Sequence, residues 1–280
     1  MHVQARRIFR LGVTTALALA AAYALKMPLP FIAPLFALML TAPPKPPMGP
    51  RDLFGLVLVV MLSLGIGLLL IPLLQQYPVV AILLVTLGLY LSAYVTVHMG
   101  KALLGTFLTV GFTLISAAGM VSFTLSTTLI QALVIGIVLA IVCQWLVYPW
   151  FPEDAAPPKP AKASTPDQSN WIALRSTVIV LPVYWLVLTN PLAYMAIVMK
   201  AVLLGQQSSL VDAKGAGREL LGSTFLGGCF AILFWVLLGI STNLWMFFLW
   251  MLLFSLYFAS KIYQLIATRF PASFWLNVAM

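Results

Sequence analysis

The segment GPRDLFG at residues 49–55 returns as GAGRELLG at residues 215–222. Both copies carry the pattern Arg-[Asp/Glu]-Leu-x-Gly just before an apolar run, and both follow an Arg-led helix and a short, Pro-bounded helix. Since six predicted crossings separate the copies, they share one orientation. The recurrence therefore predicts two parallel repeats of transmembrane helices, related by an axis along the membrane normal.

Composition decides the broad class of protein. Of 280 residues, 62% are hydrophobic and 8% are charged, and the mean hydropathy is +1.07. A soluble domain of this size could not cover its surface with so little charge. Several apolar runs approach the ~20 residues that cross a bilayer as a helix, and they lack the short alternating segments of a barrel. We predict an all-α, polytopic helical membrane protein.

The apolar runs predict how the chain is organised. We expect a first transmembrane repeat of about six helices at 1–150, a cytoplasmic Pro/Ala/Lys linker at 151–170, and a second repeat of four or more helices at 171–280. The last residues resemble the start of a further span, so the second repeat is predicted to be incomplete: either the chain is truncated, or the repeat has lost its last pair. The runs lie near 8–25, 29–42, 53–72, 78–98, 102–120, 128–148, 171–189, 191–205, 219–240 and 244–263.

The basic residues indicate the orientation. They occupy alternate loops, whereas the intervening loops carry only Lys26. This bias predicts a cytoplasmic N-terminus and a cytoplasmic linker, and the scattered single charges argue against nucleic acid as a partner. The first apolar run also resembles a secretory signal, but Arg10 has a counterpart in Arg175 before a later span, which favours a retained helix.

The second helix of each half is unusually short, at 30–42 and 191–205, and is bounded or interrupted by Pro34 and Pro191. Short spans at matching places in two repeats are a sequence indicator of a transporter's substrate site. Packing alone is the competing interpretation. Tyr194 begins the second short helix and could stack on a planar substrate.

Lys200 lies nine residues after Pro191, about 14 Å along a helix axis and so near mid-membrane. A cation there is costly unless it is paired or hydrated, or unless its side chain reaches the interface. We predict that Lys200 attracts an anion; a structural lysine that extends to the cytoplasmic interface is the alternative.

The repeated pairs Arg51–Asp52 and Arg218–Glu219 are expected to open helices at the cytoplasmic face. There the helix dipole stabilises the carboxylates, and the arginines set the orientation. Alternatively the arginines line the transport path and the carboxylates couple transport to protons. Asp212 is the only other acid outside the linker.

Motifs of catalysis are absent: no metal-ligand spacing, no phosphate-binding glycine loop and no partnered nucleophile occurs. We predict that the protein is not an enzyme and needs no cofactor. Cys143 and Cys229 both fall inside apolar runs and are expected to be small buried residues.

Together, the Arg-led first helix, the short Pro-bounded second helix, the Arg-[Asp/Glu]-Leu-x-Gly turn and the duplication resemble the fusaric-acid-resistance-like (FUSC-like) superfamily, which includes aromatic-acid exporters. The resemblance covers most of the chain. It implies a multi-pass protein of the bacterial inner membrane that moves organic anions outward, often with a periplasmic adaptor of the membrane-fusion family. Typical exporters carry a large cytoplasmic domain after each half, and here only the linker stands in that place.

These observations predict an exporter of small organic acids, most of all aromatic carboxylic acids, with protons as a candidate driving force. Two alternatives stay open: a passive organic-anion channel, and a non-transporting membrane subunit of an efflux or envelope assembly. The expected partners are the lipid bilayer and a small organic anion. A periplasmic adaptor and a second copy of the chain are further candidates.

Overall fold

The computed structural model describes residues 3–153, 166–191, 193–194, 197, 201, 210–240, 243–265 and 270–280. This part of the chain consists of helices and short connections, with no β-strand, so the predicted all-α class is confirmed. A π-helical stretch, Gly111–Ile115, joins α5 to α6. The helices are α1 Val3–Ala24, α2 Ile32–Thr41, α3 Pro50–Gln76, α4 Pro78–His98, α5 Ala102–Val110, α6 Ser116–Val121, α7 Phe123–Val147, α8 Pro166–Thr189, α9 Leu210–Leu238, α10 Leu244–Ile262 and α11 Ala272–Ala279.

Eight segments of the described chain are long and apolar enough to cross a membrane. The protein is thus a polytopic helical membrane protein, as predicted. The segments are Val3–Ala24, Pro50–Gln76, Pro78–His98, Leu103–Val121, Phe123–Val147, Gln168–Thr189, Gly217–Leu238 and Leu244–Ile262. By contrast, the ten residues of α2 extend about 15 Å, half of the ~30 Å hydrocarbon core.

The two copies of the charged motif begin their helices differently. In the first copy α3 starts at Pro50 and Asp52 lies in its first turn, as expected. In the second copy α9 starts at Leu210, so Arg218 and Glu219 lie inside the helix, and the prediction that they open it is wrong. No proline interrupts residues 211–217, and backbone hydrogen bonding continues the helix beyond its apolar part.

The described chain forms two compact units. Three boundaries between the units fall inside α3, α7 and α9, so each of these helices contributes residues to both. Unit 1 comprises Met1–Phe54, Ala132–Pro158 and Arg218–Met280. In it α1 packs against α2 and α10, and Ile8, Leu11, Leu38 and Ala259 form a buried apolar cluster. Gly12 permits the close packing of α1 and α10, because a Cβ there would lie 2.7 Å from Cδ2 of Leu256.

Unit 2 comprises Gly55–Gln131 and Lys159–Gly217. Its α4 packs against α5 and α8. Two glycines bring the backbones of α3 and the π-helical stretch together: a Cβ on Gly67 would collide with the carbonyl oxygen of Gly111. Small residues allow such close backbone approach between membrane helices, where dispersion contacts drive association.

Candidate functional site

In unit 1, two arginines of α1 hold one carboxylate from the segment that follows α7. Arg7 donates from Nε to Glu153 Oε1 over 2.6 Å, and its Nη2 contacts the same oxygen. Arg10 Nη1 lies 2.7 Å from Glu153 Oε2. The three-residue spacing places both arginines on one face of α1. The side chains of Arg10 and Glu153 are 1% and 2% exposed, so this ion pair is shielded from solvent.

Tyr263, which follows α10, lies beside this ionic cluster, and its hydroxyl donates to the carbonyl oxygen of Ala42 over 3.0 Å. Burial raises the pKa of Tyr263. The positive charge of Arg10 opposes the shift, the charge of Glu153 adds to it, and the charge of Arg7 and a side-chain hydrogen bond with Arg10 also oppose it. The hydroxyl is therefore a protonated donor at neutral pH. The contact fixes the end of α2 against the end of α10.

The contacts around the cluster join chain segments that the charge pattern assigns to one membrane face. Arg6 Nη1 donates to the carbonyl oxygen of Pro152 over 3.3 Å, and Trp145 Nε1 donates to that of Met48 over 2.7 Å. The start of α1 and the ends of α2, α7 and α10 are thus close together. The alternation of basic loops predicts that these four helix ends lie on the same side of the membrane.

Sequence reasoning missed this cluster. It placed Glu153 in the linker and interpreted Arg7 and Arg10 as markers of orientation. The available signal was two arginines three residues apart near the start of a span, with a carboxylate soon after the end of another. A charge inside an apolar helix needs a partner, but the sequence does not show which of six acids supplies it.

A second feature of unit 1 is an open groove of about 500 Å³ between α9 and the start of α11. Arg218 lies at the point where α9 becomes apolar, and Gly222 and Phe225 follow on the same helix. The opposite wall is formed by Phe270 and Phe274, whose rings stack with their centroids 4.4 Å apart. The groove therefore combines one cation with three phenyl rings.

The polar side chains of the groove differ in their partners. Within the described part of the chain, the exposed guanidinium of Arg218 has no hydrogen-bond or ion-pair partner. Glu219 Oε1 accepts a hydrogen bond from Ser273 Oγ over 2.5 Å, which ties α9 to α11. Gly222 leaves room for the Phe274 ring, since a Cβ there would lie 3.3 Å from its edge. Arg218 is therefore the side chain that is available to bind an anion.

The two predicted short helices are described to different extents. Pro34 lies in the first turn of α2, where a backbone N–H would have no partner within the helix. The proline therefore does not interrupt α2, and the prediction of an interruption at Pro34 is wrong. Asn190 Oδ1 accepts from the N–H of Ala193 over 3.2 Å and caps the helix that Pro191 begins. Tyr194 N donates to Asn190 O in the same turn. Lys200 lies outside the described residues.

Two of the remaining predicted site residues have described side chains, and neither belongs to the ionic cluster or to the lining of the groove. Arg51 and Asp52 are exposed at the start of α3. Asp212 lies in α9, and its side chain is outside the description. Within the described residues no three His, Cys, Asp or Glu side chains come together in a way that could hold a metal ion.

Fold and site together define a polytopic membrane protein with a buried ionic cluster and an aromatic groove. A family model described as a protein of unknown function, DUF2955, matches residues 7–147, half of the chain. The chain belongs to this family. No curated protein matches it, and no solved structure does. The match runs from Arg7 within α1 to the end of α7 and includes Arg10, but it covers neither Glu153 nor the groove.

Proposed function

We propose that this protein is a bacterial inner-membrane transporter, and not an enzyme, that exports small organic acids, in particular aromatic carboxylic acids. The observation that carries the proposal is the groove of unit 1, which Arg218, without a partner among the described residues, lines together with three phenyl rings. Its volume of about 500 Å³ is in the range of small-molecule sites.

The chemistry of the groove favours a flat, singly charged acid. A guanidinium binds a carboxylate through two parallel hydrogen bonds, which a single-point cation cannot reproduce. The rings of Phe225, Phe270 and Phe274 offer faces and edges to an aromatic ring at about 0.5–1.5 kcal/mol per pair. Glu219 would repel a second negative charge close to Arg218, so a monocarboxylate fits better than a dicarboxylate.

The predicted topology supports the proposed outward direction of transport. The charge pattern puts the groove at the cytoplasmic end of α9, where an exported substrate would bind first. The resemblance to FUSC-like exporters supports outward movement and a periplasmic adaptor. Lys200, Tyr194 and the short helices at 30–42 and 191–205 are further candidates for residues of the transport path. Asp52, Glu219 and Asp212 are the candidate carriers of coupled protons.

The test is uptake of radiolabelled 4-hydroxybenzoate into inverted membrane vesicles, with and without an imposed proton gradient. Arg218→Gln should reduce uptake about tenfold or more, because it removes a charge-assisted pair. Gly222→Leu should reduce uptake by filling the groove. Lys101→Gln, an exposed cation in unit 2, is the matched control and should transport like the wild type. Lys200→Ala tests the second short helix.

The outcomes separate the alternatives. Uptake that requires the gradient and is lost in Arg218→Gln supports a coupled exporter. Uptake at the same rate without a gradient would identify a passive organic-anion channel. No uptake of aromatic or aliphatic acids by correctly inserted protein would contradict the proposal and favour a non-transporting subunit.

A further inference from the structure

The groove of unit 1 carries a negative charge that its own contacts do not explain. Glu219 lines the groove next to Arg218, and its Oε1 accepts a hydrogen bond from Ser273 Oγ. The neutral amide oxygen of a glutamine would accept that bond as well, so the contact between α9 and α11 does not require a carboxylate. Within the part of the chain that the structure describes, Oε2 of Glu219 has no hydrogen-bond or ion-pair partner.

The usual reason for an acid in this motif is missing from the second copy. Asp52 lies in the first turn of α3, where the positive end of the helix dipole stabilises it. Glu219 lies nine residues after Leu210, the first residue of α9, and the dipole effect is confined to the first turn. Glu219 also lies where α9 enters its apolar span, and ionised side chains in membrane spans are normally paired. A ligand with a positive group would supply the missing partner.

The charges of the groove match a zwitterion better than they match a simple anion. The described lining contains one guanidinium and one carboxylate, so its formal net charge is zero. An anion at Arg218 is attracted by one of these charges and repelled by the other. A molecule that carries a carboxylate and an ammonium group on the same carbon atom is attracted by both. Its carboxylate would pair with Arg218, and its ammonium group would donate to the free oxygen of Glu219.

The apolar part of the groove adds a third requirement. The rings of Phe225, Phe270 and Phe274 line it, and they favour a ligand that has an aromatic ring of its own. We propose that the groove binds aromatic α-amino acids in their zwitterionic form. The inference rests on the proposed function and names the substrate class of the same site: it keeps the single carboxylate and the ring, and it adds the ammonium group that Glu219 binds.

The test is equilibrium binding of radiolabelled L-phenylalanine to the purified full-length protein, in nanodiscs of phosphatidylglycerol and phosphatidylcholine. Two competitors each lack one charge of this ligand: 3-phenylpropionate has no ammonium group, and phenethylamine has no carboxylate. Each should compete about tenfold or more less well than unlabelled L-phenylalanine, because each loses one charge-assisted hydrogen bond. L-alanine keeps both charges but lacks the ring, and it should also compete poorly.

Variants assign each charge of the ligand to its partner. Glu219→Gln keeps an acceptor for Ser273 and removes the negative charge. It should weaken binding of L-phenylalanine about tenfold and abolish the preference over 3-phenylpropionate, whereas Arg218→Gln should weaken binding of both. Thr224→Val is the matched control on α9. Thr224 is exposed and outside the groove lining, and its hydroxyl donates to Leu220 O over 2.7 Å, so this variant should bind like the wild type.

The outcomes separate this inference from the proposed function. Equal affinity of the wild type for 3-phenylpropionate and L-phenylalanine, or an unchanged preference in Glu219→Gln, would overturn the inference. Displacement by phosphoethanolamine as effective as that by L-phenylalanine would assign the site to a lipid headgroup and would overturn it too. Uptake of 4-hydroxybenzoate into inverted vesicles by a protein that does not bind L-phenylalanine would leave only the proposed function standing. Glu219-dependent binding of L-phenylalanine by a protein that transports no acid would support the site and contradict the proposed function.

Discussion

The two compact units use the same helix pairing with different polar chemistry. In unit 1 the first helix of the first half, α1, packs on α10; in unit 2 the first helix of the second half, α8, packs on α4. When the helices are counted within each predicted repeat, the first helix of each half packs against the fourth helix of the other half. Two parallel repeats that exchange helices would give this recurrence, and the repeats stay a prediction.

What holds each pairing together differs. Unit 1 contains the ionic cluster of Arg7, Arg10 and Glu153. Unit 2 contains neutral hydroxyl pairs, Ser92–Thr109 at 2.8 Å and Ser116–Tyr184 at 3.2 Å. An ionic cluster in an apolar setting depends on every member, whereas a neutral pair contributes little and tolerates loss. Unit 1 should therefore respond to single polar substitutions far more strongly than unit 2.

The largest expected effect is that of Glu153→Ala. It leaves two arginines without their shared carboxylate, one of them fully buried, and should lower the free energy of unfolding by about 3–5 kcal/mol. Reversible unfolding in mixed micelles, followed by tryptophan fluorescence, measures this change.

Asp52→Asn is the matched control, because Asp52 is an exposed carboxylate of the same unit. It should change stability by no more than about 0.5 kcal/mol. Equal effects of the two substitutions would show that the Glu153 cluster contributes no more than a surface charge.

Much of the fold could be predicted because membrane helices are encoded locally. About 20 apolar residues between charged loops predict a span whatever its neighbours are. Partners across the chain are not encoded in this way: Arg7 and Glu153 are separated by 146 residues. The sequence therefore predicted the membrane-spanning helices but not the ionic cluster.

The repeated motif shows the same limit. Its glycine is Gly55 in the first copy and Gly222 in the second. A Cβ on Gly55 would meet nothing within 4 Å, while one on Gly222 would meet the Phe274 ring. Arg218 was a predicted site residue, but its groove depends on α11, which the sequence indicated only as the start of another span.

An intermediate effect is expected from Gly67→Ala in unit 2. The added methyl group would collide with the backbone of Gly111, which cannot rotate away as a side chain can. Overpacking of this kind should cost about 1–3 kcal/mol. Gly65→Ala, on the same helix with open space around it, should be neutral or slightly stabilising in the same unfolding measurement. If the two substitutions gave the same stability, glycine-mediated packing would not be what holds α3 to the π-helical stretch.

The smallest expected effect is that of Tyr184→Phe, which removes the buried hydroxyl pair with Ser116 and keeps the ring. Ser116 retains a hydrogen bond to the Phe112 carbonyl oxygen, so no group is left wholly unsatisfied. The free energy of unfolding should fall by about 0.5–1 kcal/mol. Tyr90→Phe is the control: its hydroxyl bond to Asn170 is exposed, and the loss should be smaller still. A loss at Tyr184 as large as that for Glu153→Ala would contradict the contrast between the units, because a neutral hydroxyl pair would then matter as much as the ionic cluster.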